Sequence, residues 1–225
     1  MDIGGGGVYL PAGTYKVTVY TPAAGQFPWP RALTIKANVT LRGVNHTSSV
    51  IKLADNQVPY GALLAPEHLG AHVSGFKMYD LAVDMNGLNN PLPTAAEINE
   101  PVSEKRRDRI TVFIFNGTRS RFERCRFSNV IGVYCLDLYS YGVSDVSITN
   151  NLFNKVGGGS LDFDFSLVDA AGHNCRISNN SFYSRNYNAS AGPLTYGLRT
   201  AIEVHNVDAL VANNVKRDPE AKPHS

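Results

Sequence analysis

Three stretches of the chain alternate apolar and polar residues. They are Leu136-Asp137-Leu138-Tyr139, Leu161-Asp162-Phe163-Asp164 and Ile202-Glu203-Val204-His205. A period of two is that of a strand with one face buried. Each stretch is followed by a second strand-like segment ending in an asparagine pair: Asn150-Asn151, Asn179-Asn180 and Asn213-Asn214. The pairs recur 29 and 34 residues apart. A strand pair repeating at this length, with almost no helical periodicity, predicts a solenoid in which each repeat is one rung. The inward Leu, Ile, Phe and Val then stack along the axis. The asparagines sit at a bend, where their amides pair up and down the stack. The predicted fold is all-β: a single-stranded right-handed parallel β-helix of about six to seven rungs.

Stacking also predicts chemistry. With the three copies in register, Asp137, Asp162 and Glu203 form one outward column, and Tyr139, Asp164 and His205 form a second beside it. Asp162 and Asp164, two apart on one strand, share a face at roughly 6.5–7 Å. Carboxylates so close cannot all ionise freely, so one of them should hold its proton and serve as a general acid.

The rest of the pattern follows the same logic. Residues 33–53 continue the strands through Asn38-Val39-Thr40-Leu41-Arg42-Gly43 and Val50-Ile51-Lys52-Leu53, and Leu81-Ala82-Val83-Asp84 opens the next rung. Residues 110–127 form a rung in which Arg124-Cys125 stands where the asparagine pair would be, and no acid faces outward. Long loops are expected over 87–109, with a basic end, and 184–200, with Tyr187, Tyr196 and Arg199. The solenoid domain spans 1–216, and 217–225 is a polar tail.

Composition narrows the function. A net charge of +2 points to neither nucleic acid nor membrane. Cys125, Cys135 and Cys175 are odd in number and lack metal spacing, so buried free thiols are expected. His46, His68 and His72 fall in loops without a metal-ligand pattern.

The segment Gly4-Gly5-Gly6-Gly7-Val8-Tyr9-Leu10-Pro11-Ala12-Gly13-Thr14-Tyr15 resembles the first rung of the pectate-lyase-like β-helix superfamily, with its polygalacturonase, phage-tailspike and alginate-epimerase members. That resemblance implies a capping helix ahead of this segment. The chain shows none, so the cap is expected to be missing. The resemblance also implies a polysaccharide substrate and an extracellular or virion-associated location. The resemblance leaves a homo-oligomer open, a trimer if the chain is tailspike-like.

Three functions compete. The first is a glycoside hydrolase using Asp162 and Asp164 as the central pair, with Glu203 and Asp137 assisting. Substrate contacts would come from Tyr139, His205, His173, Arg199 and Tyr196. The polygalacturonase motifs Asn-Thr-Asp, Gly-His-Gly and Arg-Ile-Lys are absent, and Gly172-His173-Asn174 only approximates the second. The second is a polysaccharide lyase or uronate epimerase. It is disfavoured by outward columns without Lys or Arg and kept open by Tyr139 with His205. No cofactor is expected for the hydrolase, and Ca2+ enters only for the lyase. The third is a non-catalytic glycan-binding tailspike or adhesin segment.

Overall fold

The computed structural model describes residues 5–21, 30–57, 61–68, 70–90, 110–114, 116–130, 134–138, 143–156, 166–171, 173–184, 200–205 and 208–217. Among them every named strand pairing is parallel. Three long sheets run the length of the molecule, here called A, B and C. Sheets A and B have seven strands each and sheet C has six. The chain visits them in the repeating order A, B, C. One such circuit is Lys77–Tyr79 in A, Ala82–Asp84 in B and Ile110–Phe113 in C. The next is Arg121–Glu123, Arg126–Ser128 and Leu136–Leu138. This is the coil of a parallel β-helix.

Register makes the inward side chains stack. In sheet A the inward row runs Leu41, Met78, Phe122, Ile148, Ile177. In sheet B it runs Ile51, Val83, Phe127, Phe153, Phe182. The Phe153 and Phe182 rings are parallel at 4.6 Å, and those of Phe127 and Phe153 at 5.2 Å. These rows meet in one core running the length of the coil. Each fully buried Leu, Ile or Phe contributes about 1.5–3 kcal/mol by leaving water.

The corner from sheet A to sheet B explains the asparagine pairs. The first member takes a left-handed backbone: φ is 58° at Asn150, 58° at Asn179 and 55° at Asn213. Asparagine tolerates this conformation better than most residues. The second member points inward and builds a ladder. Asn180 donates N–H and Nδ2 to Oδ1 of Asn214, both at 3.0 Å, and its Nδ2 also reaches the Ile148 carbonyl at 2.9 Å. At the earlier rung Arg124 occupies the left-handed position (φ 53°) and Cys125 the ladder position, its N–H donating to Asn151 Oδ1 at 2.9 Å. The predicted equivalence of Arg124-Cys125 and the asparagine pair therefore holds. So does the prediction for the cysteines, all three of which are free and buried.

Candidate functional site

Sheet C carries the acids, but not all of those the sequence suggested. Strand Leu136–Leu138 pairs with Ser166–Ala171, which pairs in turn with Thr200–His205. The register sets Leu136 against Val168 and Val168 against Ile202. The row beside it runs Phe113, Asp137, Asp169, Glu203 in backbone register, three of the four acidic. Successive members are about 4.8 Å apart along the axis.

The residue between Asp137 and Glu203 is thus Asp169, and the expected alignment of Asp162 with Asp137 is wrong. The same register pairs His205 with Ala171, not Asp164. Asp162 and Asp164 lie outside the described residues, as do Tyr139, Tyr196 and Arg199. His173 is described, but away from the row. It sits at the corner entering sheet A, bridged to Ser144, with an exposed side chain.

At Leu136–Leu138 both sides of sheet C are shielded from solvent. Leu136 and Leu138 belong to the inner core, while Asp137, between them, is only 5% exposed. Glu203 is half-buried. Farther along the sheet, Ala62, Ala65 and Ile110 form a separate apolar cluster, distinct from the inner core, against which Tyr134 packs. Tyr134 stands three residues before Asp137 in the short stretch Tyr134-Cys135-Leu136-Asp137. At the far end of the sheet Arg31 is buried, its guanidinium 5.2 Å from the Tyr20 ring centroid and its Nε donating to Thr34 Oγ1 at 3.0 Å.

A buried carboxyl such as that of Asp137 can hold or pass a proton. The Tyr134 phenol, three residues before Asp137 in the chain, is a second proton-carrying group. Tyr134 and Asp169 were not foreseen from the sequence. Asp169 had a legible signal. It stands 11 residues before Asn180, as Glu203 stands 11 before Asn214, whereas Asp162 stands 18 before Asn180.

Asp137 and Glu203 offer oxygen donors of the kind Ca2+ takes. Among the described residues, however, no three His, Cys, Asp or Glu side chains gather closely enough to hold a metal ion.

Lysines and arginines, missing from the predicted columns, are present on sheet A. Its outer face carries Lys77, Arg121 and Arg176 in one row and Arg42, Tyr79 and Glu123 in the next. At the corner of this face Asp80 accepts from Arg124 Nε at 2.6 Å and Nη2 at 3.1 Å. The Arg124 hydrogen bonds hold the Asp80 carboxyl below its ordinary range. Burial pushes the Tyr79 phenol up.

No family model matches the chain. Over 83 residues, 37% of its length, the chain is 40% identical to mannuronan C5-epimerase AlgE3 of Azotobacter vinelandii, a match covering 4% of that protein. A match of the same identity and length to AlgE4 of that organism covers 14% of it. The chain thus spans a small fraction of the curated relatives it matches. Among solved structures, the A-module of A. vinelandii mannuronan C-5 epimerase AlgE6 superposes over 96% of this chain and 48% of that one. The TM-score is 0.53 and the identity 20%. With the three parallel sheets, the inward stacks and the asparagine ladder, this likeness fixes the fold. The chain has the fold of a right-handed parallel β-helix.

Proposed function

We propose that this chain acts on a uronate polysaccharide as a C5-epimerase, by removing and returning a proton on the carbon next to the sugar carboxylate. The observation that carries this reading is the in-register row Asp137, Asp169, Glu203 on sheet C, beside Tyr134. The 40% identity to mannuronan C5-epimerases over 83 residues supports the choice of substrate class.

Epimerisation needs one group to take the C5 proton and another to deliver a proton to the opposite face. The C5–H bond breaks, its electron pair delocalises into the sugar carboxylate, and a new C5–H bond forms with inverted configuration. No other bond changes. Asp137 and Tyr134 are assigned as the proton-carrying groups, and Asp169 and Glu203 as the acids that tune Asp137. His205, at the edge of the same strand row, is assigned to sugar contact. The chain would work outside the cell or on a virion, where such polymers occur.

Deuterium decides the matter. Incubated with polymannuronate in D2O, the protein should introduce deuterium at C5 and convert mannuronate to guluronate, both read by NMR. Asp137→Asn, near-isosteric, should lower that exchange by about 10²-fold or more. New reducing ends without deuterium incorporation would overturn the reading.

Glycoside hydrolysis is the second reading. One observation favours it: Asp137 and Asp169 are backbone register partners on neighbouring strands, whose spacing of about 4.8 Å is close to the roughly 5 Å between the carboxyls of retaining glycosidases. New reducing ends would then appear with retained anomeric configuration.

A further inference from the structure

The outer face of sheet A holds a feature that proton transfer on sheet C does not use. Lys77 and Arg121 are direct register partners, and Arg176 follows one rung beyond Ser147. Their strand neighbours Met78, Phe122 and Ile177 are fully buried, so the three cations point out of the coil. Among the described residues none of the three makes an ion pair. Like charges directly opposite on neighbouring strands destabilise a sheet, and nothing within the sheet offsets this pair.

The acids that could have answered them are already engaged. Asp80 is clamped by Arg124 and lies 3.6 Å from Arg42, and Glu123 is bound to Arg124. Tyr79 lies in register between Arg42 and Glu123, half-buried, with its ring in the field of Arg121, Arg124 and Arg42. Among these rows Thr40, Ser147 and Thr149 present hydroxyls, while Ser178 is buried and accepts from Arg176 Nε at 3.1 Å.

We infer that the outer face of sheet A is a second polysaccharide-binding surface, which takes an acidic glycan lying along the coil axis with its carboxylates on Lys77, Arg121 and Arg176. A polyuronate carries one charge per sugar and hydroxyls between. The face carries two adjacent cations, Lys77 and Arg121, a third, Arg176, beyond the Ser147 hydroxyl, and an aromatic ring on which a sugar can lie. A nucleic acid, denser in charge, would use a more crowded basic stripe. The surface shares its ligand class with the function proposed above, and rests on that reading for it, but is a different site on a different sheet. It would hold the polymer while a segment passes over sheet C.

The test is retention on immobilised polymannuronate, eluted with a salt gradient, using the whole chain. It requires no turnover, so a protein that leaves polymannuronate chemically unchanged still decides it. The wild type should be retained at low salt and should not bind a neutral dextran matrix. The triple variant Lys77→Gln, Arg121→Gln, Arg176→Gln should bind at least tenfold more weakly, with a shallower salt dependence. These side chains project from the coil, and circular dichroism checks that the variant is folded. Arg121→Lys with Arg176→Lys, which keeps the charge, should recover most of the retention. Unaltered retention of the triple variant overturns the proposal. So does a wild type that passes straight through at low salt, or one retained equally by single-stranded DNA.

Discussion

Asn151 donates twice to a single atom: its backbone N–H at 2.9 Å and its side-chain Nδ2 at 3.0 Å both meet Oδ1 of Asn180. The same Nδ2 also reaches the Phe122 carbonyl at 2.9 Å. One side chain thus closes a corner in its own rung and binds that rung to the next. Buried polar groups at a turn would otherwise be left without water or partner.

Replacing the middle member of the ladder should therefore cost more than a lost contact. Asn180→Leu keeps the volume but leaves the Asn151 N–H and the Ile148 carbonyl buried without their partner. The expected loss is about 2–4 kcal/mol, since each orphaned buried group costs about 1–3 kcal/mol. It should appear as a lower urea midpoint at unchanged slope. A loss under about 1 kcal/mol would mean that the corner reorganises and that the ladder is not what holds it.

The ladder shows why the fold was legible. Asparagine pairs report a left-handed corner residue followed by an inward amide, and both requirements are local. The apolar rows were legible for the same reason. Sheet C was not, because its strand register is set at a distance. Residues 166–171 (Ser-Leu-Val-Asp-Ala-Ala) alternate less cleanly than residues 161–164, so the better pattern drew the eye to Asp162. The pairing is fixed instead by the corner that follows, which places Asp169 level with Glu203. Tyr134 was missed because nothing in its local pattern says which side of sheet C it covers. Its position follows from contact with Ala62, Ala65 and Ile110, residues some 24 to 72 positions earlier in the chain.

Acid should weaken the coil at the sheet A corner. The folded Asp80 carboxyl sits below its ordinary value because Arg124 donates to both of its oxygens. The unfolded chain therefore takes up this proton first as pH falls. The stabilisation is present above the ordinary carboxylate value, about 3.9, and is lost as pH drops through the folded value. Arg124→Gln should accordingly unfold more easily than wild type at pH 6, and the difference should shrink steadily below about pH 4. A gap that stays constant down to pH 2 would show that Arg124 acts through packing alone.

The thiols should be inert in the folded protein. Burial pushes the Cys125 thiol up to about 12 and raises those of Cys135 and Cys175 as well. Only the thiolate attacks a disulfide reagent. At pH 8 an aromatic disulfide should therefore modify the native protein at the rate of its unfolding, and all three cysteines rapidly in denaturant. Fast native labelling of one thiol would place that cysteine at the surface.

Two glycines in neighbouring strands of sheet A should answer the same substitution in opposite ways. Gly43 ends strand Val39–Gly43. A methyl group there would lie 2.5 Å from the Asp80 carbonyl oxygen and 2.6 Å from the Ser49 Cβ. Neither can retreat. Asp80 holds the left-handed corner of the next rung, and the Ser49 hydroxyl donates to the Leu10 carbonyl at 2.9 Å while accepting from the Val44 N–H at 2.9 Å. Gly43→Ala should thus cost about 1–3 kcal/mol through overpacking. Gly7, paired with Thr40 in the adjacent strand, has nothing within 4 Å of the same methyl position. Gly7→Ala should change stability by less than about 0.5 kcal/mol. Thermal unfolding of the two variants side by side measures the difference. Equal midpoints would mean that the close approach of rungs at Gly43 is not a constraint on the coil.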